Sequence, residues 1–425
     1  MKTTIVGINW GDEGKGRMVD LLSEKYDIVC RYQGGNNAGH TVVNHKGKFI
    51  LNLLPSGILR EGVVNVMGSG MVIDIQHLTE EIQRLKDAGI AIAPENLKIS
   101  DRAVITMPYN ILQDCLEEER LADKKFGSTK KGIAPVYADK YLKKSFRMGE
   151  LKNFATMKKR IADIVAWKNL TIEKAYANKA IQTADIVAYF EKYGLHFVDY
   201  ICDTGLYLTE ASKQNKNILF EAQLGALRDI DFGIYPYTSS SSTISAYAPI
   251  GAGAPNLKID NSIGIMKAYS TCVGEGPFVA EYHGDKAEEL RIAGGEYGAV
   301  TKRPRRVGPF DAVASKYGIR CQGATEIALT KLDVLSRYKE IEICIAYAYK
   351  EQELTKKFPF TDLLEDCKPI YRKVKGWNCD ISKCRTWESL PKEAQDYILY
   401  LERLCDCKIK YISVGAEREA YIERK

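Results

Sequence analysis

Histidine is scarce in this 425-residue chain: there are five, and none follows His283. A structural zinc site needs four sulfur or nitrogen ligands. Two late cysteine pairs, Cys379/Cys384 and Cys405/Cys407, therefore read as buried or incidental thiols rather than a zinc centre. The eleven cysteines are an odd number, and MKTTIVGINW has no basic n-region, h-region or cleavage site. Both features predict reduced thiols and a cytoplasmic protein. Long apolar runs are missing too: nothing approaches the roughly 18 consecutive residues of a membrane span, so no membrane partner is expected. Charge of one sign is also lacking. Lysine plus arginine exceed aspartate plus glutamate by 61 − 55 = +6, too little over this length to predict nucleic-acid binding. A phosphate-bearing partner would have to be held by a local site. The 45% hydrophobic and 27% charged content excludes disorder and collagen-like repeats, and supports a sizeable core.

The first third alternates strand and helix. Thr3–Gly7 reads as a strand, and Gly16–Lys25 as a helix with a stripe at Met18, Val19, Leu21 and Leu22. Asp27–Tyr32 reads as the next strand, and together these predict a βαβ unit of a parallel sheet. Thr41–Leu53 reads as a hairpin turning at His45-Lys46-Gly47, and Val63–Met67 as a buried strand. Ile75–Ala88 reads as a helix with Asp74 as N-cap and Gly89 beyond its end. Residues 108–214 are mostly helical in pattern, an insertion or subdomain. Strand character returns at Ile218–Glu221, Ile327–Thr330 and Glu342–Tyr347. A helix near Lys392–Leu404 and the strand Lys410–Ser413 close the chain. The expected fold is α/β and P-loop-like: one mostly parallel central sheet with helices on both faces, residues 1–425 forming one domain that carries the helical insertion.

The strongest local signal is Gly11-Asp12-Glu13-Gly14-Lys15-Gly16, between the first strand and first helix. Small residues let backbone N–H groups converge on a phosphate, and the helix N-terminus adds its dipole. Lys15 supplies a cation. The usual pattern has a glycine where Asn9 stands and a hydroxyl where Gly16 stands. Without that hydroxyl, the Asp12 carboxylate is the nearest oxygen for Mg²⁺. The other reading is a tight turn with an incidental lysine. A second run, Gly34-Gly35-Asn36-Asn37-Ala38-Gly39-His40-Thr41, follows the second strand. If both loops flank one crevice at the sheet's carboxyl edge, Asp12, Asn37 and His40 meet there. A carboxylate and an imidazole beside a phosphate site suit acid/base activation of a nucleophile. Thr330-Lys331-Leu332-Asp333 resembles the guanine-reading element of GTP-binding proteins, its aspartate accepting from the base and its lysine stem covering the ring. The run Lys302-Arg303-Pro304-Arg305-Arg306 reads as a solvated loop or as a clamp for carboxylate or phosphate.

Together with LPSGIL (54–59), DIDFGIYP (229–236), MKAYSTCVGEGPF (266–278) and RPRRVGPFD (303–311), these motifs closely resemble the adenylosuccinate synthetase family from about Thr3 to Arg418. The resemblance implies a GTP-dependent ligase of purine biosynthesis that joins aspartate to IMP. Asp12 would be the base that removes the N1 proton of IMP, and His40 the acid at the reacting oxygens. Mg²⁺ would be held by Asp12 and the carbonyl of Gly39. GTP would be contacted by Gly11, Asp12, Glu13, Gly14, Lys15, Gly16 and Arg17, then by Gly39, His40, Thr41 and Arg305. Its base would lie against Lys331, Leu332, Asp333, Ser413, Val414 and Gly415. For IMP the resemblance implies Asp12, Glu13, Gly14 and Lys15, the run Asn37, Ala38, Gly39 and His40, and also Gln223, Leu224 and Arg303. Thr129 and Ser239 would hold its phosphate, with Lys143 reaching in from the other subunit of a homodimer. Aspartate would be bound by Ala299, Val300, Thr301, Lys302, Arg303 and Arg305.

The chain departs from the family pattern around the purine and the amino acid. Leu224 stands where a glutamine is usual, Val300 for threonine and Lys302 for glycine. Lys131, Lys143 and Cys272 stand for arginines, and Val414 for threonine. Gln223 could serve for Leu224 only if the backbone shifted, because neighbouring strand residues face opposite sides. Two other readings follow: a paralogue joining an amino acid to a different purine monophosphate, or a catalytically weak nucleotide-binding regulator.

Overall fold

The computed structural model describes residues 1–44, 47–298, 304–350, 352–354 and 357–424. Its centre is a ten-stranded sheet. From one edge the order is Tyr421–Glu423, Ile409–Ser413, Glu326–Thr330, Asn261–Lys267, β1 (Lys2–Gly7), Ile218–Glu221, β2 (Ile28–Arg31), Val64–Met67, Leu97–Ser100 and Ile201–Cys202. Every pair is parallel except the last at the Tyr421–Glu423 edge. Such a sheet needs cover on both faces. Alternate side chains of β1 show how it gets it. Ile5 packs with Met18, Val19 and Leu22 of helix α1 (Lys15–Leu22) on one face. Val6 packs with Leu208 and Ala211 of the helix Thr204–Lys213 on the other.

Sequence pattern and element agree wherever the signal is local. Ile75–Asp87 is a helix whose Asp74 accepts from the His77 amide. It buries Ile75, Leu78, Ile82 and Leu85, a three-and-four spacing. Helices or 3-10 turns fill most of 108–213, with only the two-residue strand Ile201–Cys202 among them. This stretch shares a core with the first third: Phe146, Ile161, Phe190 and Phe197 pack in one cluster with Leu51, Ile73, Leu78 and Ile99.

β1 and β2 run parallel in one sheet, as the βαβ reading expects, with the distant, wholly buried strand Ile218–Glu221 between them, pairing with β1 at Lys2↔Ile218 and with β2 at Ile218↔Ile28. Two expectations are corrected. First, Glu340–Tyr349 is not in the central sheet. It pairs with Phe310–Asp311, Gln352–Leu354 and Lys368–Lys375 in a separate sheet. Second, the first helix stops at Leu22, and Ser23–Lys25 is a 3-10 turn. The hairpin strands are His40–Asn44 and Gly47–Leu51; its expected turn residues His45 and Lys46 lie outside the described residues.

One buried acid ties the second sheet to its neighbour. Asp311 caps the helix Ala312–Gln322 through the Ala314 amide and accepts from the Tyr347 hydroxyl. Burial pushes its carboxyl up to about 6, against the hydrogen bonds that favour the charge. A native pKa above the unfolded one means that the folded state binds the extra proton. Stability is therefore highest below about pH 4 for this group and is lost as pH rises through 6, by on the order of 2–3 kcal/mol. Asp311→Asn keeps an accepting oxygen but cannot ionise. Denaturant melts at pH 5 and pH 7.5 are expected to differ less in the variant than in the parent; equal differences would contradict this account.

Candidate functional site

The site is assembled where three loops leave the carboxyl ends of β1, Ile218–Glu221 and β2. The first is the phosphate loop. Gly11 and Gly14 take φ of +106° and +99°, and Asp12 between them takes +59°, backbone angles open mainly to glycine and tolerated by aspartate. The Glu13 carboxylate is buried inside the loop and accepts from the Asn9 and Gly11 amides at 3.1 and 2.8 Å. It also pairs with Lys15 Nζ at 2.6 Å. An internal carboxylate thus gathers two loop amides and the Lys15 ammonium. The loop is fixed from below by Thr330, whose hydroxyl donates to the Glu13 carbonyl at 2.6 Å.

The histidine loop packs directly on the first. A Cβ placed on Gly16 would stand 2.7 Å from the His40 Cβ, so the helix start and the imidazole share one small space. His40 is buried, and its Nδ1 bonds the Glu221 carboxylate. Glu221 is held in turn by the Ser56 amide at 2.7 Å and the Ser56 hydroxyl at 2.6 Å. Burial alone would push the Glu221 carboxyl up. The charges of His40 and Arg31 and these hydrogen bonds outweigh it and hold the carboxyl below its ordinary range. An ionised carboxylate only accepts, so Nδ1 carries a proton and Nε2 is the nitrogen left for chemistry. Burial lowers the His40 pKa, against the opposing pull of the Glu221 carboxylate. Arg31 is fully buried beside this pair, and among the described residues its Nε and Nη2 have no hydrogen-bond partner.

Asp12 lies at the other end of the phosphate loop, exposed, its Oδ2 3.0 Å from Arg305 Nη2. Arg305 Nη1 bonds Glu296 at 2.6 Å. The loop after Ile218–Glu221 runs between the two sides. Leu224, with φ of +58° and half-buried, lies over Gly11 with its Cδ2 3.7 Å from a Cβ there. Gln223 is turned away: it is fully buried, and its amide donates to the carbonyls of Gly35 and Asn52 at 2.7 and 3.3 Å. The alternation of side chains gives its amide nitrogen to the neighbouring loop, its Oε1 has no hydrogen-bond partner among the described residues, and Leu224 is the residue presented to the phosphate loop.

Other expected residues fall around this centre. Asn37 Oδ1 accepts from the Gly35 amide at 3.2 Å, and the Ala38 carbonyl accepts from Asn52 at 3.2 Å, so both shape their own loop; Gly39 and Thr41 are exposed. Ser239 bonds Ser241 at 3.3 Å, and Ser241 donates to Gln33 at 2.9 Å, which brings the serine run to the base of the histidine loop. Thr129 is exposed on a segment whose Phe126 ring lies 6.3 Å from Tyr237, two residues before Ser239. Lys143 is exposed at the end of the helix Ile133–Leu142, in the left-handed region. Arg17 donates to Ser413 Oγ and to the carbonyls of Gly415, Glu417 and Ala420. It stitches α1 to the loop that follows Ile409–Ser413, while Val414 in that loop is fully buried. Lys331 takes a left-handed φ of +63° and gives its amine to the Gly294 carbonyl at 2.9 Å. Leu332 is buried, and burial raises the Asp333 carboxyl against the pull of Lys331. Ala299, Val300, Thr301, Lys302 and Arg303 lie outside the described residues.

Sequence reasoning missed Glu221, Glu296 and Arg31. One signal was available for the first: a carboxylate closing the apolar run Ile218-Leu219-Phe220, at the end of a strand where burial requires a partner. Nothing local marks Glu296, whose partners come from distant elements.

A parallel sheet with a phosphate loop at its carboxyl edge, a carboxylate in that loop and a buried imidazole packed on its far end define a nucleotide-dependent α/β enzyme. The comparisons narrow the class. The adenylosuccinate synthetase pattern matches residues 4–422, and the chain belongs to that family. It is 43% identical over 419 residues to adenylosuccinate synthetase of Heliobacterium modesticaldum, covering 99% of this chain and 98% of that protein. Against the enzyme of Halothermothrix orenii the identity is 42% over 422 residues, with the same shares. Among solved structures, fully ligated adenylosuccinate synthetase from Plasmodium falciparum superposes with a TM-score of 0.93 at 35% identity, covering both chains entirely. Succinoaminodeoxyadenylate synthetase of cyanophage S-2L covers 99% of this chain and 94% of its own at a TM-score of 0.58 and 18% identity, and shares the fold alone. Among the described residues no helix is long and apolar enough to cross a membrane.

Proposed function

We propose that Asp12 and His40 carry the chemistry of this family in the present chain, which is a GTP-dependent ligase joining aspartate to IMP with release of adenylosuccinate, GDP and phosphate. Asp12 takes the N1 proton of IMP, and the 6-oxygen attacks the γ-phosphorus of GTP. The aspartate amine then displaces phosphate from C6. Phosphoryl transfer of this kind depends on positioning and charge neutralisation more than on covalent help from the protein. The observation that supports the assignment is that one short loop, 11–16, touches both sides: Asp12 opens it and His40 packs on Gly16 at its end. Burial lowers the His40 pKa, and the negative charge of a triphosphate beside it would favour the imidazolium that can donate to a reacting oxygen.

The hard oxygen donors at hand, the Asp12 carboxylate and the Gly39 carbonyl, fit Mg²⁺, which takes a carboxylate together with substrate phosphates and, when bound, neutralises phosphate charge. Lys15 would leave Glu13 for phosphate, and the Leu332-Asp333 turn with the Ser413–Gly415 loop would take the guanine base. Residues 108–214 form the insertion that supplies Thr129 and Lys143. We read the assembly as a homodimer, because Tyr141 and Leu142, 76% and 59% exposed beside Lys143, are an apolar surface that a second copy would cover. The free thiols fit a cytoplasmic setting. Purified protein given IMP, GTP, Mg²⁺ and aspartate is expected to form adenylosuccinate, followed by its ultraviolet absorbance and by phosphate release. No product with IMP, but product with another purine monophosphate, would overturn the choice of acceptor.

A further inference from the structure

A chain of four alternating charges runs from the floor of the sheet to Asp12. Lys267, at the end of the strand Asn261–Lys267, is buried and donates to Glu296 at 2.8 Å and to Thr271 at 2.9 Å. Glu296 has no exposed surface; its Oε1 also accepts from the Tyr269 hydroxyl, and its Oε2 accepts from Arg305 Nη1 at 2.6 Å. Arg305 Nη2 then meets Asp12. The backbone repeats the connection: the Arg305 amide donates to the Glu296 carbonyl at 2.9 Å, and Tyr297 bridges Pro304. Glu296 is therefore tied to Arg305 twice, through the main chain and through Nη1 of the guanidinium. Burial pushes its carboxyl up, but Lys267 and Arg305 pull it down to about 2, so it stays charged.

A guanidinium held at one terminal nitrogen has the other aimed by the rigid plane that joins them. We propose that Glu296 is a positioning residue that aims Nη2 of Arg305 at the reaction centre beside Asp12, where it serves an anionic substrate group, the aspartate carboxylate or the γ-phosphate. This inference rests on the ligase reading above. Its logic is that of any outer partner: the carboxylate touches no substrate, but it decides where the group that does so can point.

The test is steady-state kinetics on Glu296→Gln. The KM for aspartate or for GTP is expected to rise about 10-fold or more, with the KM for IMP changed less than about 3-fold. Which of the two rises identifies the anion that Arg305 serves. In the pair of Glu296→Gln with Arg305→Met, the double variant is expected to be no worse than Arg305→Met alone, since Glu296 acts through it. Glu296→Gln leaves Lys267 buried without its counter-charge, so Lys267→Met/Glu296→Gln is made in parallel to keep the interior balanced. Unchanged KM values, equal rises in all three, fully additive losses, or failure of both variants to fold would overturn the proposal and leave Glu296 a structural residue. An active parent with unaffected variants counts against Glu296 alone; a parent that makes no adenylosuccinate counts against the ligase reading.

Discussion

Replacing Asp12 by asparagine is expected to abolish turnover, by about 10³-fold or more in kcat, while leaving the fold intact. The substitution is nearly isosteric, and asparagine tolerates the left-handed φ of +59° found there as well as aspartate does. What disappears is one negative charge and with it the ability to take a proton. The ion pair with Arg305 is lost as well, but both partners are partly exposed, and its contribution to stability is about 1 kcal/mol or less. A thermal melt close to that of the parent, together with lost formation of adenylosuccinate, is the expected pair of results. A variant as active as the parent would refute Asp12 as the base.

The second large effect is expected at a residue that touches no substrate. Glu221→Gln should lower kcat about 10²-fold, with smaller changes in KM for IMP and GTP. The carboxylate permits only the Nδ1–H form of His40, whereas an amide can rotate and offer its NH₂, which admits the other tautomer. The Ser56 amide and hydroxyl donate to different oxygens of Glu221, so glutamine, with one oxygen, keeps one of these two bonds as it stands. Arg31, fully buried nearby, loses a counter-charge and retains Glu81, so some fall in melting temperature accompanies the change. Function and stability are separated by a cycle: Glu221→Gln added to His40→Asn should cost little further activity if Glu221 works through the imidazole. Full additivity of the two losses would contradict that.

How much of this was legible in the residues themselves differs from element to element. The phosphate loop was, because its glycines, its lysine and the helix after it are consecutive, and backbone conformation is decided locally. The helix Ile75–Asp87 was, because cap, stripe and terminal glycine lie within one window. The strand Asn261–Lys267 and the helix Ala312–Gln322 were not. Small and polar residues such as Ser262, Gly264 and Ser315 break their apolar pattern, and they are buried only because neighbouring chain fits against them. A Cβ on Gly318 would stand 1.9 Å from the Ile8 carbonyl, a contact no local rule anticipates. In the site, Asp12 and His40 were visible as isolated letters in glycine-rich loops. Arg305 stood out in its basic run, but Glu221 and Glu296 did not, since they reach the site only through sheet order. The same cause hid the strand that lies between β1 and β2, because pairing between distant strands leaves no periodic mark in either of them.

The place of Ile218–Glu221 between β1 and β2 also bears on how the molecule comes into being. β1 precedes both of its neighbours by a long stretch of chain, since they begin at Ile218 and Asn261. Until those strands are synthesised its edges stay unsatisfied, and long loops must close before either is covered, which slows folding and prolongs exposure to aggregation. A nascent chain or fragment ending near residue 210 should therefore hold Gly11-Asp12-Glu13-Gly14-Lys15-Gly16 in full and still bind no nucleotide, because the strand that anchors both loops has not yet been made.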